Sequence, residues 1–133
     1  MILIAEYLHK NKLIHRDIKP ENFMIDHKGF MKMIDVGCAK ICDSRSYTVI
    51  GTPYCIIIFY MYIDMAPEVI CAKGYNYLVD LWSIGVCLYE FLCGYVPFGE
   101  EAEDPYEIYE QIIKNEFTFP NYVKDKKAKK LIE

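Results

Sequence analysis

Apolar residues recur at helical spacing from Met1 to Lys10, with Ile4 and Leu8 one turn apart and Ala5 between them, so the pattern predicts a helix there. Its first residue is not a capping type. Leu13-Ile14 reads as a short strand. Phe23–Asp26 and Met31–Ile34 read as two strands around His27-Lys28-Gly29-Phe30, whose glycine supplies a positive-φ turn position. Pro67-Glu68-Val69-Ile70 starts a short helix, since proline is tolerated in a first turn. From Leu78 to Val96 the chain is almost wholly apolar; a buried helix is expected from about Val79, with Gly94 and Pro97 as its stop. Asp104-Pro105-Tyr106-Glu107 has the form of a capped helix start. Tyr106, Tyr109, Ile112 and Ile113 form its expected apolar face, and Phe117-Thr118-Phe119-Pro120 is expected to close it. The pattern as a whole is mainly α with a small β-hairpin.

Composition settles some alternatives. The run from Leu78 to Val96 is long enough to span a bilayer. Asp80 and Glu90 lie inside it, each costing roughly 2.5–3.5 kcal/mol near a bilayer centre, so a buried helix with two functional acids is the reading and no membrane span is expected. At 133 residues the chain is one domain at most, and 53 % hydrophobic with 26 % charged residues makes it globular. A net charge of −4 argues against a general nucleic-acid binder and permits basic substrates. The five lysines from Lys124 to Lys130 read as a solvated helical face, and Glu100–Asp104 as a solvated acidic loop. The six cysteines show no CxxC spacing and no accompanying histidine cluster, and read as free, mostly buried thiols in a reducing compartment. With no signal-peptide pattern, a cytoplasmic location is expected.

The chemistry gathers in His15-Arg16-Asp17-Ile18-Lys19-Pro20-Glu21-Asn22, followed by Asp35-Val36-Gly37. Asp17 can accept a proton, and Lys19 can hold a transferring anionic group. Asn22 and Asp35 are hard oxygen donors of the kind Mg²⁺ takes when it is shared with substrate phosphates. A hairpin between Asn22 and Asp35 would return the chain, so that two ligands distant in sequence converge. The set suits phosphoryl transfer, in which positioning and charge neutralisation do most of the catalytic work.

These motifs resemble those of the eukaryotic Ser/Thr protein kinases. HRDIKPEN resembles their catalytic loop, Asp35-Val36-Gly37 their metal motif, Met65-Ala66-Pro67-Glu68 the close of their activation segment, and Asp80-Leu81-Trp82-Ser83-Ile84-Gly85 the start of a central helix. Gly37-Cys38-Ala39-Lys40, Tyr47-Thr48, Gly51-Thr52-Pro53, LYEFLCGYVPFG and IYEQIIKNEFTFP are most similar to the AGC group, the cGMP-dependent branch above all. The resemblance implies a partial kinase C-lobe without the N-lobe. It implies Asp17 as base, Lys19 beside the phosphoryl group and Thr52 bracing Asp17. Lys19, Glu21, Asn22 and Asp35 would face ATP, with Asn22 and Asp35 on Mg²⁺. Thr48 falls at the group's regulatory phosphosite, served by Arg16 and Lys40, where a phosphate adding about −1.5 to −2 charges would order the loop. Glu21 and Glu90 would bind substrate arginine. Asp80 would accept hydrogen bonds from the catalytic-loop backbone, and Trp82 reads as plain core packing. Glu68 would have a structural role, its usual arginine partner lying beyond the resemblance. Protein or peptide substrates with basic residues, and a cyclic-nucleotide-binding region outside this chain, are the implied partners.

Three departures bear on function. Residues 54–64 are an apolar run, about nine residues more than the resemblance implies here, with no charge until Asp64, no glycine and no proline. An in-frame retained intron or a wrongly drawn exon boundary is one reading of it, and a hydrophobic docking loop the other. Val36 stands where the family has a phenylalanine, a weakening rather than a loss. No glycine-rich loop or strand lysine is found among these residues, so the 133-residue polypeptide alone is expected to be inactive. The alternative is a non-catalytic, pseudokinase-like binding module or a gene fragment.

Overall fold

The structure is a computed structural model, and it describes residues 1–47, 63–102 and 104–133. In chain order the described elements are α1 (Ile2–Lys10), β1 (Leu13–Ile14), a 3₁₀ turn (Pro20–Asn22), β2 (Phe23–Ile25), β3 (Met31–Met33), β4 (Lys40–Ile41), α2 (Pro67–Ile70), α3 (Leu78–Cys93), α4 (Pro105–Lys114) and α5 (Lys126–Ile132). The mainly helical architecture with a small hairpin is therefore as the sequence pattern implies. None of the described helices is long and apolar enough to cross a membrane.

The described core is built around α3. Half of its 16 residues are buried, and it supplies members to every buried apolar cluster. Val79 meets Ile14, Ala66 and Tyr75; Ile84 and Cys87 meet Ala5 and Ile18. Val86 joins Ile63, Phe98, Ile108 and Ile112, while Tyr89 and Cys93 join Val123. A helix apolar on almost every side is stable in water only when other elements surround it. Trp82 packs as expected, its ring stacked on Phe98 with centroids 5.8 Å apart. Gly94 ends α3 in the left-handed region (φ +82°), where a side chain is disfavoured, and its N–H reaches the Glu90 carbonyl at 2.7 Å.

The hairpin pairs Phe23 with Met33 and Ile25 with Met31. Asp26 Oδ1 accepts the N–H groups of Lys28 and Phe30, and Gly29 takes φ +84°, so the turn forms as its residues dictate. A second antiparallel pairing, β1 with β4, joins Ile14 to Lys40 and Leu13 to Ile41. No periodicity in so short a strand as Lys40–Ile41 announces it.

The first turn of α4 is built as expected: Asp104 accepts the Tyr106 N–H and Pro105 takes the first helical position. Its buried face is only in part the expected one, for Ile112 is on it and Tyr106 and Ile113 are not. Ile108 and Ile112 are fully buried, whereas Tyr106 (78 %) and Ile113 (50 %) are exposed. The i, i+4 pair wins because Gly99 lets the helix approach: a Cβ at Gly99 would sit 2.9 Å from Ile108 Cγ1. The helix also stops earlier than expected, at Asn115 (φ +51°), rather than at the Phe117–Pro120 segment. Phe117 and Phe119 instead pack around Tyr89, with ring centroids 5.7 and 5.4 Å away. Ile108→Ala should lower stability by about 2–5 kcal/mol and Ile113→Ala by less than about 0.5 kcal/mol, read from urea unfolding midpoints.

Candidate active site

The catalytic-loop segment leaves β1 and is at once fastened to α3. Asp80, in the first turn of α3 and 1 % exposed, accepts the backbone N–H of His15 at 2.9 Å and of Arg16 at 2.8 Å. His9 of α1 brings Nε2 within 2.8 Å of the same carboxylate. Three groups thus converge on one buried anion, as a buried carboxylate requires. The clamp sits where the backbone is unusual, for Arg16 takes φ +70°. A non-glycine residue holds that conformation only where its surroundings over-determine it. Asp80 acts as the resemblance implied; His9 was not singled out from the sequence, and its place on α1 carried no signal beyond a polar residue on an amphipathic helix.

His15 is buried and ties the loop to the metal-motif segment. The Asp17 N–H lies 3.3 Å from His15 Nδ1, which puts the ring hydrogen on Nε2, and Nε2 then donates to the Asp35 carbonyl at 2.7 Å. Arg16 Nε donates to the Cys38 carbonyl at 2.8 Å. The hairpin completes the return, since the Ile34 N–H donates to the Asn22 carbonyl at 3.0 Å, one residue before Asp35. The convergence of Asn22 and Asp35 segments that the sequence called for is thus made by backbone.

Around Asp17 the polar groups interlock. Asn22, 7 % exposed, donates Nδ2 to the Asp17 carbonyl at 2.7 Å and to its Oδ2 at 2.9 Å. Lys19 Nζ lies 3.1 Å from Asp17 Oδ1. Burial works against the charge on Lys19, but Asp17, Glu21 and Asp64 outweigh it and raise its pKa, so the ammonium is kept. Asp35 is exposed, and its Oδ1 accepts the Gly37 N–H at 2.7 Å. With the amide nitrogen of Asn22 committed to Asp17, its Oδ1 and the second oxygen of Asp35 are the hard donors left over. Among the described residues no group of three or more His, Cys, Asp or Glu gathers as a closed metal site. One amide and one carboxylate fit Mg²⁺ shared with phosphates, which keeps waters and substrate oxygens for its other positions.

Beside this constellation opens a cavity of about 650 Å³ whose polar wall includes Asp17, Lys19, Glu21, Asp64, Ser83 and Glu90. Asp64 was not singled out as a site residue; it drew notice only as the first charge after an apolar run. Ser83 Oγ donates to the Asp64 carbonyl at 2.9 Å, fixing its backbone. Burial, then repulsion from Glu21, Glu90 and Asp17, pushes the Asp64 carboxyl up to about 7. The Cys87 thiol beneath is pushed up to about 12, by burial first and then by Asp64, Glu90 and Glu21.

The remaining predicted residues divide. Thr48 and Thr52 lie outside the described residues, as do 54–62 of the apolar run. Arg16 and Lys40 reach the two members of one β-bridge, Ser46 and Tyr75: Arg16 Nη1 is 3.3 Å from Tyr75 Oη and Lys40 Nζ is 3.0 Å from Ser46 Oγ. Val36 is exposed and Glu68 sits half-buried in the first turn of α2. The expectation of mostly buried thiols needs correcting: among the described residues Cys87 and Cys93 are buried, Cys38 and Cys42 intermediate and Cys71 exposed. Cys71 stands at the C-cap of the four-residue α2, in which no residue is buried.

The shift of Asp64 makes a sign-definite prediction. The folded chain keeps a proton there that the unfolded chain releases near pH 4, so stability falls as pH rises from about 4 to about 7. Asp64→Asn should flatten that slope in unfolding measurements at pH 5 and pH 8, and should stabilise the chain at the higher pH.

A sequence profile described as the protein kinase domain matches residues 2–133. The chain is 49 % identical over 133 residues to a cGMP-dependent protein kinase of Plasmodium berghei, covering 100 % of this chain and 14 % of that protein. It is 47 % identical over 133 residues to the cGMP-dependent protein kinase of Toxoplasma gondii, again covering 100 % of this chain and 12 % of the relative. A cAMP-dependent protein kinase catalytic subunit of Dictyostelium discoideum is 39 % identical over 120 residues, covering 90 % of this chain and 17 % of that protein. The chain therefore spans about an eighth of the cGMP-dependent relatives it matches. By motif, fold and similarity along its whole length, it belongs to the protein kinase family.

Proposed function

We propose that these residues are the catalytic-loop half of a Ser/Thr protein kinase that transfers the γ-phosphoryl group of ATP to protein hydroxyls preceded by basic residues. The interlock of Asp17, Lys19 and Asn22, with Asp35 returned beside it by the hairpin, is the observation that carries this reading. Asp17 accepts the proton of the acceptor hydroxyl as its oxygen bonds to the γ-phosphorus; the bond to the β-phosphate oxygen breaks, and ADP leaves with those electrons. Lys19 offsets charge on the transferring group. Asn22 and Asp35 would hold Mg²⁺, which, when bound, neutralises phosphate charge. The Asp17–Asn22 bonds keep the carboxylate oriented, which is the positioning that such a reaction needs.

The finer roles belong to the same reading. Thr52 braces Asp17, and phosphorylated Thr48 is held by Arg16 and Lys40. Glu21 and Glu90 take substrate arginine. A cyclic-nucleotide-binding region elsewhere in the polypeptide regulates the enzyme, which works in the cytoplasm. Residues 1–133 by themselves do not turn over, because they hold no glycine-rich loop and no strand lysine for the nucleotide. A second reading, a non-catalytic binding module, is favoured by Val36 in the metal motif and by the apolar run at 54–64.

The two are separated by a chimera in which these 133 residues replace the matching segment of the Plasmodium berghei kinase. Transfer of phosphate from Mg-ATP to an arginine-containing peptide is expected, with Asp17→Asn lowering the rate by about 10²- to 10⁴-fold at unchanged fold. A folded but inert chimera supports the binding module; full activity in Asp17→Asn removes Asp17 from the role.

A further inference from the structure

The cavity beside Asp17 gathers more carboxyl groups than the phosphoryl-transfer step itself uses. Asp17 is matched by Lys19 at 3.1 Å and by Asn22, which leaves Glu21, Asp64 and Glu90. Arg16 also lines the cavity, but its guanidinium is turned to the Cys38 carbonyl and Tyr75 hydroxyl. The other titratable groups on the wall, Cys38 and Tyr75, bring no positive charge, and neither does Cys87 behind it.

Asp64 is held there by the fold. The preceding Ile63 is 6 % exposed and packed with Val86, Phe98, Ile108 and Ile112, the Asp64 carbonyl accepts from Ser83, and Ala66 two residues on is buried against Ile14. Its backbone is thus fixed on both sides, at the cavity wall. The carboxyl stays among like charges, and it answers them by retaining its proton near neutral pH. Such an arrangement is unfavourable for the empty chain and becomes favourable when a cation with several donors enters.

We propose that Asp64 is a specificity-determining residue, a third carboxylate that joins Glu21 and Glu90 in holding the guanidinium of an arginine in the peptide substrate. This rests on the reading of Glu21 and Glu90 given above and adds to it a residue and a pH dependence. A guanidinium carries five N–H donors in a planar fork and can serve three carboxylates at once; an ammonium is a compact point charge with three. Asp64 therefore favours arginine over lysine. Because the carboxyl must ionise to make the contact, arginine binding expels a proton.

The test uses the 133-residue chain and three acetylated peptides that differ only in carrying arginine, lysine or citrulline before an alanine in the acceptor place. Affinities are measured by calorimetry in buffers of different ionisation enthalpy at pH 6 and pH 8. The wild-type chain should prefer arginine to citrulline by at least about tenfold at pH 8, and should lose about tenfold of arginine affinity at pH 6. Proton release should accompany binding at pH 6. Asp64→Asn should abolish the proton release, flatten the pH dependence and narrow the arginine-to-lysine ratio, while Asp64→Glu should keep all three. Circular dichroism of each variant checks the fold.

Unchanged affinity and unchanged proton release in Asp64→Asn, with arginine still preferred to citrulline, overturn the role of Asp64 alone. A wild-type chain that does not distinguish arginine from citrulline overturns the arginine reading of Glu21 and Glu90, and the proposal with it.

Discussion

One buried carboxylate sets the geometry of the site. Asp80 takes the His15 and Arg16 N–H groups and the His9 ring, and so fixes a loop whose backbone passes through an unfavourable conformation at Arg16. Its place in the first turn of α3 is also electrostatically favourable, since a helix start carries partial positive charge. The loop's rigidity is thereby inherited from the most buried of the described helices. Hydrogen bonds to a charged group are worth about 1.5–3 kcal/mol, enough to offset the roughly 1–3 kcal/mol of a strained residue.

From that anchor the order of events along the chain makes physical sense. β1 delivers the loop, His15 links it to the Asp35 carbonyl, and the hairpin hands Ile34 back to Asn22. Reactive side chains then sit on short segments held at both ends, which suits a reaction driven by positioning rather than by covalent chemistry. The adjacent cavity follows a different logic: Asp64 is repelled by Glu21, Glu90 and Asp17, Lys19 offsets that only in part, and packing through Ile63 and α3 keeps it in place.

Much of this was legible in the sequence. The α3 run, its Gly94 stop, the hairpin around Gly29 and the Asp104 cap each have a local cause, and each formed where its residues stand. What sequence could not supply was long-range choice. Ile108 rather than Tyr106 and Ile113 became the buried face because Gly99, nine residues away, makes room for it. Likewise β4 is a strand only because β1 lies beside it. In the site, motif residues such as Asp17, Asn22 and Asp80 announced themselves, whereas His9 and Asp64 did not. A histidine on a helix and an aspartate ending an apolar run acquire meaning only through what the fold sets against them.

The dependence on Asp80 is open to a direct measurement, native-state amide exchange of His15 and Arg16 in the wild-type chain and in Asp80→Asn. The replacement keeps the shape but loses the charge and turns a donor toward one of the two N–H groups. Protection of those two amides is expected to fall by about 10- to 100-fold, with the β2–β3 amides little changed. Equal protection in both proteins, or a uniform loss across the whole chain, would contradict a local clamp at Asp80.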